Sequence, residues 1–361
     1  MGEAGGGGPH DPFSWSFLAA KIAIDAWQWW LQGGELGEGR PEPDLQWTTP
    51  NTIALEIADL RLRDFSLART GAPVLICAPY ALHGASIADF AAGHSIVEAL
   101  RNGGVARLYL AEWRSASPDM SSRSIDSYLS DLNVAVDDIG HPVDLVGLCQ
   151  GGWLSLIYAA RFPNKVRCLV LAGVPVDMSA GSALTRAVAC MSSDAFKALV
   201  DSTSGLVRGE QMRRFWGASP DPTTALQRTL SPDILSDRQF VERFDRWQRQ
   251  TLDLPGTFFL QTVNWIFREN RLAAGEFVAL GHAVQLNRVS VPVFLLAGAN
   301  DEVVPAEQAL ATASLLGTPD AEIETAVAPS SHLGLFMGRE TIGVFWARIA
   351  DWLRSMDGRS L

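Results

Sequence analysis

The chain has little cysteine, a shortage of positive charge and no long uninterrupted apolar run, and each shortage removes a class of protein. Four cysteines occur in 361 residues. Cys77, Cys149, Cys168 and Cys190 stand far apart with no C-x-x-C pair, which is neither a disulfide framework nor a zinc site and fits a reducing cytoplasm. Lys and Arg number 29 against 40 Asp and Glu, a formal net charge of −11 with a pI near 5.0. That balance argues against nucleic acid or an anionic membrane as partner. The start, Met1 to Pro9, is glycine-rich with an acidic Glu3, unlike a basic leader before an apolar core. The stretch Phe13 to Leu31 carries Lys21 and Asp25 on one helical face and is too polar for a membrane span. No H-E-x-x-H, no G-x-x-x-x-G-K-[ST] and no cluster of metal ligands is present, and the turn Asn102-Gly103-Gly104 is too short for a dinucleotide loop. The expected chemistry uses no metal and no cofactor.

What is present is a rhythm. At 47% hydrophobic and 19% charged residues, the chain can bury a sizeable core. Residues 1–12 read as disordered, 13–32 as a helix and Gly33 to Pro50 as a linker, so 1–50 is set apart. The crowded Trp27, Trp29 and Trp30 suit packing on the body of the protein or a partner subunit, or contact with a lipid or polymer granule surface. Across 51–177, Thr52 to Phe65 reads as strands, and short apolar runs alternate with helical spacing. Pro73 to Ala78, Ala106 to Trp113, Val143 to Leu148 and Val166 to Gly173 are the strand candidates. Pro73 to Ala78, wholly apolar, suits a parallel strand buried on both faces. The rhythm breaks over 178–285, a charged, aromatic-rich and helix-like stretch, read as an inserted helical cap. It returns over 286–361 with Val291 to Gly298 and a last helix, Ile342 to Arg354. The expectation is an α/β protein with a mostly parallel, doubly wound sheet.

The sharpest motif is Gly147-Leu148-Cys149-Gln150-Gly151-Gly152, between an apolar strand and a helix. This is the G-x-S-x-G nucleophile elbow of the α/β-hydrolase fold with cysteine for serine. A sharp strand-to-helix turn strains the nucleophile, and small neighbours let the backbone close. The helix N-terminus favours a thiolate at Cys149, and the N–H of Gln150 would point into an oxyanion hole.

Such a nucleophile needs an acid and then a histidine later in the chain. Asp301 follows the apolar strand Val291 to Gly298, at the carboxyl edge where sites lie, with Glu302 as the competing assignment. His332, in Pro329-Ser330-Ser331-His332-Leu333-Gly334, would take the thiol proton while Asp301 fixes its tautomer. His10, His94, His141 and His282 lack a partner pattern. His83 follows the first core strand in Cys77-Ala78-Pro79-Tyr80-Ala81-Leu82-His83-Gly84. That loop would supply a second oxyanion donor from a backbone N–H near Tyr80 or Ala81, and His83 lines the entrance or is a plain loop residue.

Leu148-Cys149-Gln150-Gly151-Gly152, then Ala159 to Val166 (AARFPNKV) and Val174-Pro175-Val176-Asp177, resemble the polyhydroxyalkanoate synthases, most closely the short ones that work with a second subunit. The resemblance runs from about residue 70 to the C-terminus. It implies polymerisation of (R)-3-hydroxyacyl-CoA through a thioester on Cys149, with Asp301 and His332 as acid and base. A second synthase subunit, or a second copy, and a polymer granule surface are the implied partners. The loop Cys77 to His83 and the tail His332 to Arg339 are similar to intracellular polyhydroxyalkanoate depolymerases, which also use cysteine. Ser331 stands where both families usually have glycine. The alternative is therefore a hydrolase with the same triad, and a third reading is a non-catalytic granule-associated subunit.

Overall fold

The computed structural model of the protein describes residues 46–140, 142–215 and 237–357. The expected N-terminal helix with Trp27, Trp29 and Trp30, most of the linker, His10, His141 and Trp216 lie outside the described residues.

The apolar runs form one eight-stranded sheet. Its strands are β1 (Thr52–Glu56), β2 (Leu60–Asp64), β3 (Pro73–Cys77), β4 (Arg107–Trp113), β5 (Val143–Leu148), β6 (Val166–Ala172), β7 (Val293–Gly298) and β8 (Ile323–Ala328). They lie in the order β1-β2-β4-β3-β5-β6-β7-β8. β1 and β2 are antiparallel to their neighbours, and the rest of the sheet is parallel. β3, β5 and β7 are buried at every position, which is why β3 and β7 read as unbroken apolar runs rather than alternating ones; β5 interrupts its run with Asp144, whose buried carboxylate pairs with Arg167. β3 to β7 begin and end within two residues of the expected limits.

The pleat sends alternate side chains to opposite faces. Leu75, Leu145, Leu169 and Leu295 pack with helices α2 (Ile125–Ile139) and α3 (Gln150–Arg161). Val74, Ile76, Val146, Val170 and Leu296 pack on the other face with α1 (Ile96–Asn102) and the C-terminal helix, through Trp346, Ile349 and Leu353. The sheet is thus doubly wound, as expected, and each fully buried aliphatic side chain contributes about 1.5–3 kcal/mol. Local signals set the helix starts. Ser95 accepts the Glu98 N–H at 2.9 Å and so caps α1. Ser124 caps α2, exchanging hydrogen bonds with Ser127.

Between β6 and β7 the described residues form α4 (Ala183–Cys190), α5 (Ser193–Asp201), α6 (Gly209–Phe215), α7 (Arg238–Arg249), α8 (Gly256–Gln261) and α9 (Arg271–Ala274). A π-helical stretch, Thr262–Arg268, and two-residue strands accompany them. Phe258, Phe259 and Phe267 join the hydrophobic cluster on the α2–α3 face, and Phe240, Phe244 and Trp247 of α7 join the opposite one. α10 (Ala306–Ala311) and α11 (Gly334–Met337) follow. The last helix starts as a π-helical stretch, Thr341–Trp346, before α12 (Ala347–Met356); the side-chain spacing near 342 fits either winding. His94 and Ser95 pair with the strand Asp89–Ala91, ahead of α1. Among the described residues, no helix is long and apolar enough to cross a membrane.

Candidate active site

Cys149 sits between β5 and α3 with φ +47° and ψ −119°, a strained conformation for a residue with a side chain. Its N–H donates to the Ala172 carbonyl at 3.0 Å, and its carbonyl accepts the Gly152 N–H at 2.9 Å. The turn closes because Gly151 has no Cβ. A Cβ there would come within 2.6 Å of the Ala78 carbonyl oxygen and closer still to that of Cys77. The absent side chain therefore brings the backbone after β3 against the first turn of α3. Gln150 opens α3, so its N–H has no acceptor one turn back within the helix.

His332 and Asp301 converge on this cysteine from two other loops. His332 Nε2 lies 3.2 Å from Cys149 Sγ, and Nδ1 lies 2.8 Å from Asp301 Oδ2. The other carboxylate oxygen of Asp301 accepts the N–H groups of Val303 at 2.9 Å and Val304 at 2.8 Å. With both oxygens engaged, the buried carboxylate has one orientation, and the tautomer with hydrogen on Nδ1 is selected. Glu302, the competing acid, is exposed. Burial works against charging His332, but the Asp301 carboxylate, then the Cys149 sulfur, outweigh it and hold the imidazole well above its ordinary pKa. The array thus favours an imidazolium beside the Asp301 carboxylate.

Tyr80, Ala81 and His83 lie on the loop that leaves β3 beside α3. The Tyr80 side chain turns into the core, against Trp113, Tyr128 and Phe258, and its hydroxyl donates to the Asp253 carbonyl at 3.3 Å. Only its backbone and that of Ala81 remain as donor candidates. His83 does not join the Cys149 array. Its ring stands over Trp247 at 4.2 Å, and Nδ1 donates to the Gln250 carbonyl at 3.2 Å. Burial pulls its pKa down to about 4, so the ring is neutral. His94 Nδ1 donates to the Met337 carbonyl at 2.7 Å, and His282 is exposed. Cys77 and Cys168 are buried, as expected of small apolar core residues.

Two residues of the site escaped sequence reading. Gly173, at φ +58°, would with a Cβ come within 3.4 Å of His332 Cε1, so its missing side chain makes room for the imidazole. Its signal was a glycine at the end of an apolar strand. Phe336 presents its ring edge-on to His332 at 5.3 Å and 84°, a contact that no spacing in the sequence announces.

A doubly wound sheet with an elbow cysteine, a histidine and a carboxylate at its carboxyl edge defines an α/β-hydrolase-fold protein. Solved structures with this fold include a lipase from Acinetobacter baumannii, TM-score 0.55 at 11% identity over 97% of this chain and 99% of that one. A monoacylglycerol lipase from Paleococcus ferrophilus has TM-score 0.55 at 18% identity over 83% and 100%. At these identities the likeness concerns the fold. Sequence relatives are more specific. Poly(3-hydroxyalkanoate) polymerase subunit PhaC of Allochromatium vinosum is 30% identical over 68% of this chain and 71% of its own length. The PhaC subunit of Synechocystis is 26% identical over 91% of both chains. That of Haloferax mediterranei is 27% identical over 84% of this chain, which spans 63% of the relative's length. The chain belongs to the PhaC polymerase family, and residues 57–327 also match the family described as "Protein of unknown function (DUF3141)".

Proposed function

We propose that the protein polymerises (R)-3-hydroxyacyl-CoA into a polyester, with Cys149 as nucleophile, His332 as proton carrier and Asp301 as orienting acid. The observation that carries this reading is the imidazole of His332 held between Cys149 Sγ and the Asp301 carboxylate in a chain of the PhaC family. The Cys149 sulfur attacks the thioester carbonyl, and the oxyanion is received by the N–H of Gln150 and one from Tyr80 or Ala81. The tetrahedral intermediate collapses, the carbon–sulfur bond to CoA breaks, and His332 gives its proton to the departing sulfur. Thioester replaces thioester, so little activation is lost.

His332 is then neutral and accepts the proton of a 3-hydroxyl, whose oxygen attacks the acyl-cysteine and releases Cys149. The aromatic-rich segment 178–285 serves as a cap that excludes water in favour of this hydroxyl. The protein acts in the cytoplasm at the polymer granule, with a second synthase subunit or a second copy, as the word "subunit" in its relatives' names supports. Purified protein with (R)-3-hydroxybutyryl-CoA tests this through CoA release and analysis of the acyl product. Polymer or oligomer that disappears in Cys149→Ala is expected. Free 3-hydroxybutyrate alone would replace polymerase with hydrolase.

A further inference from the structure

The loop after β3 is anchored at its start by the core and at its end by a segment far away in sequence. Its first residue, Ala78, accepts the Trp113 indole N–H at 2.9 Å. Tyr80 packs its ring against Trp113, Tyr128 and Phe258 and accepts the Tyr128 hydroxyl at 3.1 Å, while a further set of anchors reaches across more than 160 residues to one short segment at the end of α7. The Tyr80 hydroxyl donates to the Asp253 carbonyl. The Leu82 carbonyl accepts the Leu252 N–H at 2.9 Å. His83 forms a bridge with Thr251, donates to the Gln250 carbonyl and lies on the Trp247 ring.

That segment is itself firmly held. The Gln250 N–H donates to the Arg246 and Trp247 carbonyls at 3.1 and 3.2 Å. The Asp253 carboxylate takes the Arg208 guanidinium at 2.6 Å and the Gly209 N–H at 2.9 Å. The Asp253 N–H donates to Ser115 Oγ at 3.0 Å, and its carbonyl accepts the Ala116 N–H at 2.9 Å. The Leu82–His83 end of the loop expected to hold half of the oxyanion hole therefore rests on a firmly held shelf outside the sheet.

We propose that His83 is a positioning residue. It docks the loop after β3 onto the C-terminus of α7 and so aims the backbone N–H of Tyr80 or Ala81 at the oxyanion. This role rests on the acyl-transfer reading of the site. His83 touches neither Cys149 nor His332 in this structure; it acts only through the backbone it holds. The single ring nitrogen that donates to Gln250 is the group this role needs, and a side-chain amide can mimic it. The ring, tilted against Trp247, adds contact area without adding chemistry.

The test separates two reactions of the same sulfur. CoA release from (R)-3-hydroxybutyryl-CoA passes through an oxyanion, whereas alkylation of Cys149 by iodoacetamide does not. In His83→Leu, kcat for CoA release should fall about 10- to 100-fold with KM nearly unchanged, the scale of a displaced oxyanion donor. Alkylation of Cys149 should stay within about twofold, and His83→Asn should restore most of the lost rate, as expected of a positional defect. Hydrogen exchange at the Leu252 amide should quicken in His83→Leu and return to the wild-type rate in His83→Asn. Unchanged CoA release, a rise in KM alone, or alkylation and release falling together would overturn the proposal. A wild-type protein that is alkylated but, with its second subunit supplied, releases no CoA would sink the polymerase reading instead. The Leu252 exchange rate then decides the docking role, and its insensitivity to His83→Leu would refute it.

Discussion

Asp301→Asn isolates the electrostatics of the site without changing its volume. The carboxylate is wholly shielded, and its two oxygens serve different partners. Oδ1 takes the Val303 and Val304 N–H groups, and Oδ2 takes His332 Nδ1. An asparagine must keep its carbonyl on the two backbone donors, because its amino group would meet them donor to donor. The amino group then faces Nδ1 and turns it into an acceptor, which moves the ring hydrogen to Nε2. His332 so arranged can no longer take a proton from Cys149 or from a substrate hydroxyl. Losing one member of a buried, hydrogen-bonded charge pair costs about 2–5 kcal/mol. At about 1.4 kcal/mol per decade, that predicts a fall in kcat of roughly 30- to 5,000-fold. Single-turnover CoA release provides the rate, and circular dichroism confirms the fold. The imidazole should also titrate differently. In the wild type, NMR should find His332 still protonated above its ordinary pKa, and in Asp301→Asn that protonation should fall back. A variant with wild-type kcat, or an unmoved His332 titration, would refute this account of the carboxylate.

Three further outcomes follow from separate features. Cys149→Gly should remove activity yet raise unfolding free energy by about 1 kcal/mol, since the residue holds a positive φ that glycine adopts freely; a less stable variant in urea melts would mean the elbow is unstrained. Gly151→Ala should cost about 3 kcal/mol or more, because the new methyl meets the carbonyls of Cys77 and Ala78; a shift below about 1 kcal/mol by chemical denaturation would show that the contact yields. The last concerns Asp131, which shares Arg123 with Asp59. Burial, then the hydrogen bond with Asp59, pushes its pKa to about 7 against the pull of Arg123. The fold therefore keeps a proton that the unfolded chain releases near pH 4, so this contribution is full in acid and lost as pH rises through 7. Asp131→Asn should flatten the stability curve between those values, and an unchanged slope would count against the shared proton.

Much of the sheet was legible because a parallel strand covered on both faces has to be apolar throughout. Pro73 to Cys77 was read to within one residue for that reason. The separate elbow, acid and histidine motifs were also legible, since each follows a strand end, where topology gathers such groups. Their mutual distances were not, because they depend on strand order across the sheet. The fate of Tyr80 illustrates the limit. Its position in the loop pointed to the site, but an aromatic cluster of Trp113, Tyr128 and Phe258 offered its ring a better place. The partners of His83 were not legible for a related reason, as Trp247 and Gln250 lie in a segment with no periodic tie to the loop. The winding at Thr341–Trp346 could not be seen either, because neighbouring turns of α- and π-helix bury nearly the same residues.

The eight strands do not share the chemistry evenly. Cys149 follows β5 in the middle of the sheet, whereas Asp301 and His332 follow β7 and β8, the pair at one border. Interior strands are held from both sides and open last, and a border pair is the natural first unit to fray. Fraying there parts the sulfur from its base while the central body stays folded. Mild denaturant should therefore extinguish turnover before ellipticity changes, leaving a compact protein with a silent nucleophile that recovers when the border closes again.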